Sequence, residues 1–157
     1  MNLEILTIGK TKTAYIKTGI EEYSKRLGRY LPFDITEIAD VKNAGRLPQE
    51  EQKTAEGEII LSRVSPSDYL WLLDERGKEY TSREFAGRLE TLMASGKKRL
   101  LLVVGGPYGF SKPVYNRADG MLSLSKMTFN HEMVRLFAAE QIYRAMTILR
   151  GEPYHHD

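Results

Sequence analysis

LLLVVGGPYG, residues 100–109, decides the fold. Leu100 to Val104 is an unbroken apolar run, as expected of a strand buried on both faces in the middle of a parallel sheet. Gly105-Gly106-Pro107-Tyr108-Gly109 interrupts it at once. In open α/β sheets ligands bind beyond the carboxyl ends of the strands, and glycines there let backbone approach a ligand closely. The spacing is neither GxGxxG nor GxxxxGK[ST], so dinucleotide and P-loop readings lose their support. Taken alone, the turn fits an unliganded strand end equally well.

Working upstream, Tyr69 to Leu73 is a second continuous apolar run and predicts another central strand. Asp74 to Lys78, DERGK, reads as a turn. Thr81 with Glu84 predicts a capping box for a helix carrying Phe85, Leu89 and Leu92. Residues 40–49 read as a loop, followed by a helix from about Pro48 to Val64. Leu3 to Ile8 reads as a first strand. Ile16, Ile20, Tyr23, Leu27 and Tyr30 recur at helical spacing, with Pro32 as the stop. Phe33 to Ile38 alternates as a half-buried strand. Downstream, a short helix is expected over 112–119, a brief strand over 122–124 and a long helix over 131–150. Strands alternating with helices predict an α/β fold, a mostly parallel sheet with helices on both faces, within one domain over 1–157.

The chain of 157 residues has no cysteine, which removes disulfides, thiolate chemistry and cysteine-based zinc sites. No secretion signal and no membrane-length apolar run is read, which points to the cytoplasm and away from membranes. The net charge is only +2, but residues 97–157 carry nine basic and five acidic side chains. That local excess suits a phosphate-bearing partner as well as a solvated basic face.

Two further segments bear on chemistry. In Leu122-Ser-Leu-Ser-Lys-Met-Thr-Phe129, small polar residues alternate with apolar ones. Such a stretch offers backbone groups to a purine while its apolar side chains wall the ring. In Arg150-Gly-Glu-Pro-Tyr-His-His-Asp157, Arg can pair with phosphate, Tyr can stack on a base and His can move protons near neutral pH. His155 and His156 are adjacent and lack further ligands, so no metal is expected. The last helix is apolar nearly all round, which requires burial on several sides, one of them available to a second copy of the chain. Arg135 and Arg144 interrupt it, and each needs a partner: Glu140, a backbone carbonyl or a ligand phosphate.

IGK, EEYSKRLGRY, VVGGPYGF and LSLSKMTFNHEMVRLFAAEQIYRAMTILRGEPYHH together resemble the RlmH family of SPOUT-class methyltransferases, most densely from Val103 to His155. The resemblance implies a C-terminal trefoil knot over about 100–157 and a homodimer. It implies methylation of ring nitrogen N3 of a pseudouridine in 23S ribosomal RNA, on the large subunit or whole ribosome. S-adenosylmethionine is the implied donor, held by Leu73, Gly105, Leu124, Ser125, Lys126, Met127, Thr128 and Phe129. His131, Tyr154 and His155 become candidates for the proton acceptor, and Arg135, Arg144 and Arg150 for anion or phosphate binding. The tail is expected to complete the partner copy's site. Tyr108 stands where relatives often carry a smaller or acidic residue. Another RNA target, or a ribosome-assembly factor without catalysis, are the competing expectations.

Overall fold

A computed structural model describes residues 1–157. Five parallel strands form one sheet in the order β2-β1-β4-β3-β5. They are β1 (Asn2–Ile8), β2 (Phe33–Ile38), β3 (Asp68–Lys78), β4 (Arg99–Val104) and β5 (Gly120–Leu122). The helices are α1 (Ala14–Leu27), α2 (Gln49–Ser62), α3 (Ser82–Met93), α4 (Lys112–Arg117) and α5 (Met133–Leu149).

Period-two alternation sorts the strand residues onto two faces. Leu3, Ile5, Tyr69, Trp71, Leu100 and Leu102 meet α1, α3 and α5 on one face. Leu6, Leu70, Leu72, Leu101 and Val103 meet α2 and α4 on the other. Alternation of apolar with polar residues is unnecessary where both faces are covered, which is why LLLVV carries no polar residue. Each fully buried leucine contributes roughly 1.5–3 kcal/mol of transfer free energy. At the amino-terminal edge of the sheet, Arg99 binds Glu4 and Asp68, tying the three central strands together opposite the glycine turn.

The capping box is present: Glu84 N–H donates to Thr81 Oγ1 at 3.2 Å and Thr81 N–H donates to Glu84 Oε2 at 2.8 Å. Three boundaries differ from expectation, one of them β5, which ends at Leu122 where the expected strand begins. α1 ends at Leu27, before Tyr30, because the chain tightens into a turn in which Arg29 and Tyr30 bond back to Arg26 and Leu27. DERGK is not a terminal turn but lies within β3. Leu73 and Lys78 both pair with Leu122, so Asp74 to Gly77 leave the ladder as a bulge and the strand then resumes. Gly77 makes this possible, since a Cβ there would lie 2.6 Å from the Leu122 amide nitrogen. A residue run that is polar and glycine-containing signals interrupted pairing, and the sequence does not distinguish a bulge from a turn. Within 40–49, Ala44–Arg46 forms a short 3-10 turn.

β5 lies outside β3, so the connection from β4 passes over β3 to reach it. The chain then returns across the strand ends, and α5 packs between α1 and α3. No helix is long and apolar enough to cross a membrane.

Candidate functional site

Three segments converge at the carboxyl edge of β3, β4 and β5. They are the bulge at 74–77, the glycine turn at 105–111 and the returning segment at 123–132. They enclose a cavity of about 780 Å³. Leu73, Gly105, Leu124, Ser125, Lys126, Met127, Thr128 and Phe129 all line it. The walls combine Leu122, Leu124, Phe129 and Val134 with polar groups from the loops. That size and mixture suit a cofactor-sized ligand.

The returning segment offers backbone donors. Ser123 Oγ donates to the Ser125 carbonyl at 3.0 Å, and Met127 N–H donates to Ser125 Oγ at 2.9 Å. These two bonds shape the loop from its own small polar residues. The amides of Leu124, Ser125, Lys126, Thr128 and Phe129 make no hydrogen bond within the chain. A backbone donor must be satisfied by something, here water or a ligand in the cavity.

The glycines of the turn act differently from the expectation of simple ligand access. A Cβ at Gly105 would lie 2.8 Å from the Phe110 ring, and one at Gly106 would lie 2.5 Å from Glu56 Oε1. Glycine is therefore needed for the turn to pack on what lies beneath it. Gly109 has φ +81°, which only glycine adopts without strain. Glu56 is buried, and burial pushes its carboxyl up, with Gln52 opposing and Asp40 reinforcing the shift.

Sequence reasoning gave no site role to the cavity residues Asp74, Arg76 and Tyr115, nor to Lys53 and Glu75. Tyr115 donates its hydroxyl to Asp74, whose other oxygen accepts the Arg76 amide at 2.9 Å. Burial works to raise the Asp74 carboxyl, but these hydrogen bonds outweigh it and hold it below the ordinary value. The Arg76 guanidinium lies 4.7 Å from the centre of the Tyr115 ring. The available signal was the charge of DERGK directly after a buried strand, the position where ligands bind. Tyr108 lines the cavity and is exposed, and His131 stands at its rim.

Arg135 does not reach the cavity. It is buried, and its Nη groups donate to the carbonyls of Ile8 (2.8 Å) and Gly9 (2.9 Å) and to Thr11 Oγ1 (3.0 Å), while its Nε has no partner. Desolvation lowers its pKa, partly offset by Glu37, Glu132 and Asp40. An arginine enclosed in this way fixes the β1–α1 turn and is not available as a phosphate binder. Beside it, Glu132 accepts the amides of Lys12 (2.8 Å) and Thr13 (2.9 Å) at the start of α1. These bonds, that from Thr13 foremost, hold the Glu132 carboxyl below its ordinary value. No side chain of α1 caps its own amino terminus; the returning segment does so.

The tail forms a separate cluster folded back along α5. Arg144 donates to Glu140 Oε1 at 2.7 Å and Tyr154 donates to the same oxygen at 2.9 Å. Tyr154 also meets the Tyr23 hydroxyl at 3.2 Å. Burial, with help from Tyr23 and Glu140, pushes the Tyr154 phenol well up. Arg144 Nη1 lies 3.1 Å from His155 Nδ1. A guanidinium only donates, so Nδ1 accepts and the neutral ring carries its hydrogen on Nε2, 2.8 Å from Asp157 Oδ1. Arg150 lies over the Tyr30 ring. Glu140 and Arg144 lie roughly 10–17 Å along α5 from its start at 1.5 Å rise per residue, and the tail turns back so that Asp157 pairs with Arg83, beside the start of α3, at 2.6 Å. No residue of the tail lines its own chain's cavity.

The chain matches the family model described as predicted SPOUT methyltransferase over residues 1–155. It is 54% identical over 157 residues to the ribosomal RNA large subunit methyltransferase H of Parabacteroides distasonis, covering 100% of both chains. It is 52% identical to the protein of that name from Flavobacterium psychrophilum, covering 99% of each. Its fold is similar to that of a probable methylase family protein from Haemophilus influenzae, with a TM-score of 0.54 at 12% identity, over 99% of this chain and 71% of the other.

Proposed function

Because the chain belongs to the SPOUT methyltransferase family, we propose that it transfers a methyl group from S-adenosylmethionine to N3 of a pseudouridine in large-subunit ribosomal RNA. Relatives covering its whole length carry that class of activity in their name. The observation that carries the reading is the cavity of about 780 Å³ walled by three strand ends. Its unpaired amides at Leu124, Lys126 and Thr128 and its apolar walls suit an adenine ring, which needs shape and a few hydrogen bonds. The family's trefoil knot over about 100–157 agrees with the return of the chain from β5 across the strand ends to α1.

The bound donor supplies an activated methyl group together with its own leaving group. The chain's residues do the rest. Leu124, Phe129 and Val134 exclude water and fix the direction of approach. The imide N–H of the target base must lose its proton before nitrogen attacks. Tyr154 is poorly suited as acceptor, because its phenol is pushed up and already donates to Glu140. His155 is the candidate acceptor in the tail once Arg144 turns from its Nδ1 toward the developing anion, which frees that nitrogen and places the guanidinium to stabilise the anion. His131 remains the alternative acceptor at the cavity rim. Arg150, exposed at the end of α5, suits a phosphate.

The tail lines no part of its own chain's cavity. On this reading the functional unit is a homodimer in which each tail completes the partner's site. Met133 and Phe137, exposed on α5 at 36% and 38%, form an apolar edge for that contact. The target is the assembled large subunit or ribosome in the cytoplasm, whose preformed surface supplies selectivity that a chain of 157 residues lacks.

The test uses ribosomes from cells lacking this protein. Incubation with the enzyme and donor should add one methyl group to large-subunit RNA, located by mass spectrometry. Methylation of transfer RNA instead, or none despite donor binding, would overturn the assignment.

A further inference from the structure

A second concavity, of about 380 Å³, lies at the carboxyl end of α1, far from the cavity described above. Lys25, Arg26, Arg29 and Tyr30 line it with Glu22, Tyr143 and Glu152. Its carboxylates are already engaged. Glu22 pairs with Arg26 at 3.0 Å, and Glu152 accepts the Tyr30 hydroxyl at 2.6 Å. Lys25 and Arg29 are exposed, and neither forms an ion pair within the chain. Arg150 adds a further cation over the Tyr30 ring at 4.8 Å.

A structural account of these cations exists, and it is too small. α1 and α5 both end here, and each helix terminus carries about half a negative charge that favours a nearby cation. Those ends and the engaged carboxylates together do not balance Lys25, Arg26, Arg29 and Arg150. The surplus is positive and exposed.

The concavity is also joined to the tail. Tyr143 lies 6.0 Å from Tyr30 and 4.7 Å from Tyr154, ring centre to ring centre, and Arg26 lies 5.4 Å from the Tyr143 ring. A continuous aromatic path thus runs from the basic concavity to Tyr154, Arg144 and His155. Basic side chains interleaved with aromatic rings are what a nucleic-acid backbone needs, with charge for phosphate and flat surface for sugar and base.

We infer that this concavity binds backbone phosphates of the RNA strand flanking the target nucleotide, with Lys25 and Arg29 as the principal contacts. The inference rests on the ribosomal RNA reading above and adds to it a docking surface outside the donor cavity. The surface acts on binding and on register, not on the chemical step.

The test compares wild type with the double variant Lys25→Gln, Arg29→Gln, using unmethylated ribosomes over a range of potassium chloride concentrations. Each lost phosphate contact lowers the slope of log affinity against log salt by about 0.7–0.9, so the double variant should lose about 1.4–1.8. The KM for ribosomes should rise while kcat at saturation, donor affinity by calorimetry and Tm stay unchanged. The swap Lys25→Arg, Arg29→Lys keeps both charges and should restore the wild-type slope. A double variant with unchanged slope and KM, beside a wild type that methylates ribosomes, overturns this inference alone. A wild type that neither binds nor methylates ribosomes overturns the functional reading and this inference with it.

Discussion

Glu132 and Thr13 stand 119 positions apart in the chain, and the carboxylate of the first accepts the amide N–H of the second at 2.9 Å. The bond fastens the end of the cavity-lining segment to the start of α1. The same carboxylate takes the Lys12 amide, while Arg135, three residues on, binds the carbonyls of Ile8 and Gly9. The β1–α1 turn is thus held by two side chains from the far end of the sequence. The segment from Ser123 to His131 is anchored at one end by β5 and at the other by this clamp.

The clamp predicts a pH dependence. The Glu132 carboxyl is held below its ordinary value in the folded chain. Its contribution is complete above the unfolded-state pKa, near pH 4, and is lost as pH falls through the lower folded value. Wild type should therefore lose stability on acidification below about pH 4 more steeply than Glu132→Gln, whose stability should already be lower at pH 7. Urea titrations of both proteins at several pH values measure the difference.

Arg135→Met should destabilise the fold by about 2–4 kcal/mol, because each orphaned buried carbonyl costs about 1–3 kcal/mol. The salt dependence of ribosome binding should not change, since Arg135 is enclosed and touches no phosphate. Urea unfolding and a salt series together check both halves. A lowered salt slope at unchanged stability would show Arg135 to be an RNA contact after all.

Gly106→Ala should cost about 1–3 kcal/mol and weaken donor binding, because the new methyl group meets the Glu56 carboxyl and displaces the turn. Glu56→Ala removes the obstruction. A double-mutant cycle should show favourable coupling of about 1 kcal/mol or more between these two positions. Additive effects would place the strain elsewhere.

In the tail, His155→Ala should lower kcat by about 10²–10⁴-fold, the usual contribution of a general base, with donor affinity unchanged. Tyr154→Phe should have the smaller effect, since its phenol is held neutral. Mixed dimers of a tail-deleted chain with a Leu124→Arg chain should regain activity, because one intact cavity then meets one intact tail. Wild-type turnover in both His155→Ala and Tyr154→Phe would remove the tail from the chemistry.

Much of this was legible in the sequence because it is encoded locally. LLLVV and YLWLL are apolar on both faces and could only be central strands. Thr81 and Glu84 cap a helix within one turn. The residues expected at the cavity fall in short segments that directly follow buried strands, so the chain delivers them there together. What escaped was long-range. DERGK is polar enough for a turn, and only its pairing with Leu122, more than forty positions later, keeps it in β3 as a bulge. Tyr115 and Asp74 meet through tertiary structure alone. Arg135 was expected to need a partner, a backbone carbonyl among the choices, but that the carbonyls are those of Ile8 and Gly9 is set by tertiary structure. The fold-back of the tail onto Glu140 and Arg83 is likewise a contact between distant positions.

The central claim is that the three strand-end loops hold a methyl donor. Calorimetric titration of S-adenosylmethionine into wild type and Leu124→Arg tests it most directly. Saturable binding by wild type, lost in a folded Leu124→Arg and kept in Tyr154→Phe, is the predicted result. No binding by wild type, or equal binding by Leu124→Arg, would contradict the account.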